Sequence, residues 1–141
     1  MSSPEPVIVR IDGASRGNPG PSGIGVVFLG ADGSPTLELS KYLGETTNNV
    51  AEYLALLYAL QEAQVRGFTR LHVKTDSELL AKQLHGEYKI KEENLQKLFI
   101  ELWNLKLDFG EVVFKHVPRE ENKEADRMVN YALDRELNKL L

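Results

Sequence analysis

Three observations predict an α/β fold built on one mixed, five-stranded sheet flanked by helices. Short runs rich in β-branched residues alternate with longer segments of helical periodicity. The first three β-rich runs are joined by connections of turn length, which makes them an antiparallel meander. Runs one, four and five are joined through helices, so they should lie parallel, with right-handed crossovers.

In chain order, residues 6–12 (PVIVRID) read as strand one, and DGASRGNPGPSG as a tight Gly/Pro/Asn turn region. IGVVFLG is strand two, ADGSP a turn and LELSKYLG an alternating strand three. Asn48 or Asn49 is placed to cap a helix from about Val50 to Arg66, which Gly67 ends. LHVKTD is strand four, and Ser77 caps a short helix, ELLAKQL. HGEYKIK is an irregular connection carrying lysines, and EENLQKLFIELWNLKL an amphipathic helix. Its Leu95, Leu98, Phe99, Leu102 and Trp103 fall at helical spacing and read as a core stripe. EVVFKHV is strand five, PREEN a loop, and Lys123 to about Lys139 a last helix capped by Asn122. The order is βββαβααβα.

A chain of 141 residues suits a single domain spanning 1–141, with about the first five residues loosely held. Its 42% hydrophobic and 27% charged content is ordinary for a globular protein. No apolar run approaches the roughly 20 residues that cross a bilayer, and MSSPEPVIVR has no signal-peptide pattern. Zero cysteines exclude disulfides, thiolate metal sites and thiol nucleophiles. A cytoplasmic monomer with no membrane partner is expected. The net charge of −4 runs against phosphate binding, but four of the negative charges have another use.

Those four are Asp12 in VIVRIDGASRGNPG, Glu52 in TTNNVAEYLALLYAL, Asp76 in LHVKTDSELL and Asp126 in ENKEADRMVNYAL. Each has a bland reading: Asp12 as a turn former, Asp76 as a helix-start residue, Glu52 and Asp126 as first-turn acids favoured by the helix dipole. Glu52, however, interrupts a helix that is apolar almost all round. Asp12 and Asp76 fall toward the carboxyl ends of adjacent parallel strands, where ligands of open α/β sheets gather. Gathered carboxylates repel one another unless cations lie between them. An all-carboxylate set is hard-metal chemistry, for Mg²⁺ or Mn²⁺ rather than zinc. Two such ions roughly 4 Å apart suit the in-line hydrolysis of a phosphodiester.

DGASRGNPG, TTNNVAEYLAL, TDSELL and KHVPREENKEADRM, in that order, resemble type 1 ribonuclease H from about Val7 to about Asp134. The resemblance implies the ribonuclease H-like fold, and an endonuclease cutting the RNA strand of RNA–DNA hybrids to 3′-hydroxyl and 5′-phosphate ends. It places the four metal-binding acids at Asp12, Glu52, Asp76 and Asp126, holding two divalent cations, Mg²⁺ with Mn²⁺ as alternative. It gives His116, ten residues before Asp126, a role in proton shuttling or product release. Asn18, Asn48 and Asn49 match minor-groove contacts, with Asn48 expected to cap the helix as well. Gly13 and Gly17 would let backbone groups approach the ribose, and Thr47 belongs to a pocket for a DNA phosphate.

The chain departs from many relatives at Glu45, where an arginine of that pocket often stands, and at Glu78, which replaces a glutamine but can still accept from a ribose hydroxyl. It is expected to be a short member without the inserted basic handle or a preceding hybrid-binding domain, and Lys89 and Lys91 are the candidates for residual backbone contacts. Three alternatives stay open: an enzyme that also cuts double-stranded RNA, a non-catalytic hybrid-binding module, and an acidic protein holding a structural cation.

Overall fold

The computed structural model describes residues 5–87 and 89–139; the looseness expected of residues 1–4 falls outside them. Five strands form one sheet in the order β3-β2-β1-β4-β5: β1 (Val7–Ser15), β2 (Gly20–Leu29), β3 (Pro35–Thr46), β4 (Arg70–Thr75) and β5 (Glu111–His116). The β1, β2 and β3 pairings are antiparallel, and β4 lies parallel to both β1 and β5, as the connection lengths require. The helices are α1 (Asn48–Val65), α2 (Glu78–Leu84), α3 (Glu93–Lys106) and α4 (Lys123–Asn138). Among the described residues no helix is long and apolar enough to cross a membrane.

Strand alternation divides the core. Val9 and Ile11 of β1, with Leu71 and Val73 of β4, bury themselves against Leu56 and Leu60 of α1, Leu80 of α2 and Leu102 of α3. The other face carries Val27 and Leu29, which pack with Ile8 against Ala125 and Met128 of α4. The sheet is thus covered by three helices on one side and α4 on the other.

The structure corrects four expectations. β1 continues through Ser15 and β2 starts at Gly20, because the antiparallel ladder runs unbroken from Ile8↔Leu29 to Ser15↔Ser22. Backbone pairing thereby overrides the turn-forming composition, leaving only residues 16–19 as the connection, closed by the Arg16 N–H donating to the Pro21 carbonyl at 2.8 Å. The cap of α1 is Thr47, whose hydroxyl accepts from the Val50 N–H at 3.3 Å, rather than either asparagine. Asn122 precedes α4 without a side-chain cap bond, its φ of −118° and ψ of 23° departing from the extended backbone of a usual cap. Trp103 is 38% exposed and outside the core: it stacks on Phe99 at 5.3 Å, with the Lys106 ammonium 4.1 Å above its ring. Leu95 and Leu102 make the buried stripe instead.

Two glycines set how closely the helices approach. A Cβ on Gly13 would overlap the Ala51 carbonyl of α1, and one on Gly25 would overlap the Ala125 carbonyl of α4. Neither helix can withdraw without opening the core, so a methyl group at either position forces a backbone shift. Gly25→Ala should therefore lower stability by about 1–3 kcal/mol in urea unfolding. Gly110→Ala, where the nearest atom stands 3.4 Å from the added Cβ, should stay within about 1 kcal/mol of the parent. Equal effects at the two positions would count against the close contact.

Candidate active site

The same glycines bring the four acids together. Asp12 pairs with Gly25 across β1 and β2, one step beyond the last parallel pair of β1 with β4, Ile11↔Thr75. Directly opposed residues share a sheet face, so Asp12 lies on the α4 side, where the missing Cβ of Gly25 admits Ala125 and with it Asp126. On the other face the missing Cβ of Gly13 admits the backbone of Ala51 and Glu52. Asp76 follows the last residue of β4. Glu52 is the fifth residue of α1, beyond the first turn, so the helix dipole does not account for it.

The electrostatics show the convergence. Burial, followed by the charges of Asp76 and Asp126, a hydrogen bond with Asp126 and the charge of Glu52, pushes the Asp12 carboxyl up to about 8. Burial and the charge of Asp76 push Glu52 up to about 7, against the Ser77 hydroxyl, which donates to Glu52 Oε2 at 2.8 Å. Ser77 also caps α2, accepting from the Leu80 N–H at 3.1 Å, so one hydroxyl ties the acid of α1 to the start of α2. Asp76 is raised by burial, while a hydrogen bond from Asn122 and the charge of Arg119 oppose the rise.

Such a set of oxygen ligands suits hard divalent cations. Among the described residues no three acidic or histidine side chains already converge on one point as a coordination shell. Carboxylates this close separate or share a proton unless a cation lies between them, and the raised Asp12 carboxyl is in keeping with that repulsion.

Asn122 is a residue that sequence reasoning took for a cap. It is fully buried, and its amide donates to the carbonyl of Ile11 at 2.8 Å while its Oδ1 has no partner. Through Ile11 and Asp76 it holds the carboxyl ends of β1 and β4 against the start of α4. The one available signal was its four-residue spacing to Asp126.

The remaining candidates are placed as follows. His116 is the last residue of β5, paired in register with Thr75, exposed, and its charge is felt by Glu78. Glu78 is exposed and bound to Lys82 at 2.8 Å, which holds its carboxyl below the usual range. Asn48 accepts from the Ser15 N–H at 2.7 Å, and Asn18 accepts from the Asn48 N–H at 3.1 Å. Both side-chain carbonyls are therefore spent tying the 16–19 turn to the start of α1, where Thr47 and the half-buried Asn49 also lie. Gly17 is exposed in that turn. Gly13 is a correction: its missing Cβ is filled by α1 rather than left open to a ribose. Lys89 and Lys91 are exposed in the connection between α2 and α3, away from the acids in sequence. Glu45 is exposed on β3 opposite Pro21.

Comparison with known proteins bears on the family and the fold. Residues 10–132 match a family model described as reverse transcriptase-like. The chain is 43% identical over 129 residues to the bifunctional protein Rv2228c of Mycobacterium tuberculosis, covering 91% of this chain and 35% of that one. It is 41% identical over 123 residues to ribonuclease HI of Halobacterium salinarum, covering 87% and 62% respectively. The chain thus spans less than two thirds of either curated relative. Its fold superposes on LC11-RNase H1, solved in complex with an RNA/DNA hybrid, with a TM-score of 0.88 at 45% identity, covering 93% of this chain and 99% of that one.

The raised carboxyls have a consequence for stability. Folded Asp12 and Glu52 keep protons that unfolded carboxyls release near pH 4. Their contribution is full below about pH 4 and is lost as pH rises through 7 and 8. In EDTA the melting temperature should fall by roughly several degrees between about pH 5 and pH 8.5, and Asp12→Asn should flatten most of that fall. Added Mg²⁺ should raise it more at pH 8 than at pH 6, because the ligands must first lose their protons. A pH dependence that is the same in the variant and the parent would reject the assignment to Asp12.

Proposed function

Because the chain belongs to the type 1 ribonuclease H family, we propose that it is an endoribonuclease that hydrolyses the RNA strand of RNA–DNA hybrids, leaving 3′-hydroxyl and 5′-phosphate ends. The observation that carries this reading is the gathering of Asp12, Glu52, Asp76 and Asp126 at the carboxyl ends of β1 and β4, close enough for each of the other three to raise Asp12. These four would hold two divalent cations, Mg²⁺ or Mn²⁺. When bound, the cations supply charge neutralisation for the phosphoryl group and Lewis-acid activation of the attacking water.

The protein's own groups do the rest. Ser77 and Asn122 hold Glu52 and Asp76 in place, so little reorganisation remains when substrate arrives. His116, exposed at the end of β5, can exchange protons with solvent beside Asp76, which fits a role in proton transfer or product release.

The asparagines read the substrate. With their carbonyls engaged internally, the amide groups of Asn18 and Asn48 are left as donors. Minor-groove edges present mainly acceptors, so donors can bond there with little regard to sequence. The wide minor groove of an A-like duplex also exposes the 2′-hydroxyls that distinguish RNA. Asn49, Thr47 and Gly17 lie on the same surface, whereas Lys89 and Lys91 would contact backbone farther out. Glu78, occupied by Lys82, must exchange that partner to meet a ribose hydroxyl.

The decisive experiment presents one labelled sequence as RNA–DNA hybrid, duplex RNA, single-stranded RNA and duplex DNA, with Mg²⁺ or Mn²⁺, beside Asp76→Asn protein. Metal-dependent cutting of the hybrid's RNA strand, lost in the variant, is the expected result. Comparable cutting of duplex RNA would widen the substrate range, and a folded protein that binds hybrid without cutting anything would make it a binding module. His116→Ala should slow turnover roughly 100-fold while leaving cleavage detectable.

A further inference from the structure

The turn that carries Asn18 is tied to the helices on both faces of the sheet. Toward α1, Asn18 accepts from the Asn48 N–H and Asn48 accepts from the Ser15 N–H. Toward α4 the turn is held by Arg16, whose Nη2 donates to Asn130 Oδ1 at 3.2 Å and pairs with Asp134 Oδ1 at 2.7 Å. These two acceptors stand about one helical turn apart on α4, so a single guanidinium nitrogen can serve both. Asp126 begins the same row, one turn before Asn130. Asp126, Asn130 and Asp134 thus form one ridge of α4, with Arg16 docked on the part beyond the acid.

Asn130 connects the arginine to the acid. An amide side chain has one acceptor end and one donor end. Because Arg16 takes the carbonyl, the NH2 group points back along the helix, where it donates to the Asp126 carbonyl at 3.2 Å and reaches Asp126 Oδ2 at 3.5 Å. An exposed asparagine without that arginine is free to turn its amide over, and it would then set its carbonyl against a carboxylate. Glu52 is held by Ser77 and Asp76 by Asn122; for Asp126 the corresponding contact is Asn130. Stability does not account for the arrangement. The Arg16 and Asp134 side chains are 37% and 63% exposed, and ion pairs that open to water contribute little to folding. What this one fixes is a geometry.

We propose that Arg16 is a positioning residue of the site: through Asn130 it orients the Asp126 carboxylate, and through Asp134 it holds the asparagine turn at a fixed place beside that carboxylate. This rests on the ribonuclease reading above. Substrate contact and cation binding then share one anchor. Displacing the turn withdraws Asn18 from a ribose edge, and turning Asn130 over loosens the hold on Asp126.

Three readouts separate the two arms: the Mn²⁺ concentration that half-saturates the rise in melting temperature without nucleic acid, hybrid affinity in Ca²⁺, and kcat in Mg²⁺. Arg16→Ala should raise the Mn²⁺ requirement roughly tenfold, weaken hybrid binding several-fold and lower kcat roughly tenfold. Asn130→Ala should reproduce the Mn²⁺ effect without the binding loss, and Asp134→Ala the binding loss without the Mn²⁺ effect. Adding Asn130→Ala to Arg16→Ala should raise the Mn²⁺ requirement no further, because both act through one contact. Arg16→Lys should recover most of both, since one nitrogen makes both bonds. Arg66→Ala, which removes another exposed ion pair, should match the parent throughout. A parental Mn²⁺ requirement in both Arg16→Ala and Asn130→Ala, or additive losses in the double variant, would overturn the positioning role while leaving the enzyme reading intact. A parent protein that neither binds nor cuts hybrid would overturn the enzyme reading and the substrate arm together. Melting temperatures in EDTA should stay within about three degrees of the parent, as expected of exposed side chains. A larger fall in Arg16→Ala would make the arginine structural and reject the proposal.

Discussion

The site depends on one steric constraint: two helix backbones touch the sheet at adjacent points beside Asp12, and they can do so only because Gly13 and Gly25 have no side chains. Alternation along β1 sends consecutive residues to opposite faces. Gly13 therefore opens the α1 face and Asp12 the α4 face, and Gly25, paired with Asp12, clears room on that second face. The peptide units that fill these spaces belong to Ala51–Glu52 and Ala125, each holding or adjoining an acid. Loosening either contact would move an acid of the proposed metal site by the width of a methyl group, enough to matter for chemistry that demands fine placement.

That placement costs stability. Burial and mutual repulsion hold Asp12 near 8 and Glu52 near 7, so at neutral pH the fold carries carboxyls that resist ionising. The surroundings oppose this only in part. Ser77 donates to Glu52, Asn122 to Asp76, and Arg119 adds a positive charge from the loop. Each is a single contact to a single acid, and none is aimed at Asp12, whose shift is the largest. A group flanked on three sides by acids, and given no cation of its own by the protein, is where an external cation gains most.

How much of this was legible in the sequence follows from the range of each interaction. The parallel and antiparallel pairings of the strands and the positions of the acids at the ends of β1 and β4 rest on alternation and connection length, which are local, and the structure has them as expected. Register is not local. The extension of β1 to Ser15 needed β2 as a partner, and a run of Gly, Asn and Pro read without that partner looks like a turn. The cap of α1 fell to Thr47 because Asn48 was taken by Ser15, a contact 33 residues away. Nothing in the sequence around Gly25 announces its contact with α4, which lies 100 residues on at Ala125. Asn122 showed only its place before a helix, while its amide reaches back 111 residues to Ile11. Trp103 failed differently: helical spacing marks a stripe but not its edge, and Trp103 lies at the edge, covered by Lys106.

The charge distribution resolves the tension between an acidic chain and a polyanionic substrate. A binder that relied on bulk attraction would need a broadly basic surface, and this chain has 21 acidic residues against 17 basic ones. Four of its acids lie in the cluster, where bound cations would reverse their effect, and others stand in surface ion pairs such as those with Arg10, Arg16 and Arg127. What would meet the proposed substrate beside the cluster is then a short track of uncharged asparagine donors, Asn18 and Asn48. Glu45 fits that economy, because an acid near the start of α1 repels a strand that strays from the track while leaving the donors of Asn18 and Asn48 untouched. Such a surface would gain specificity from geometry, since only a duplex that lays ribose edges on the asparagines and a phosphate over the carboxylates meets both at once.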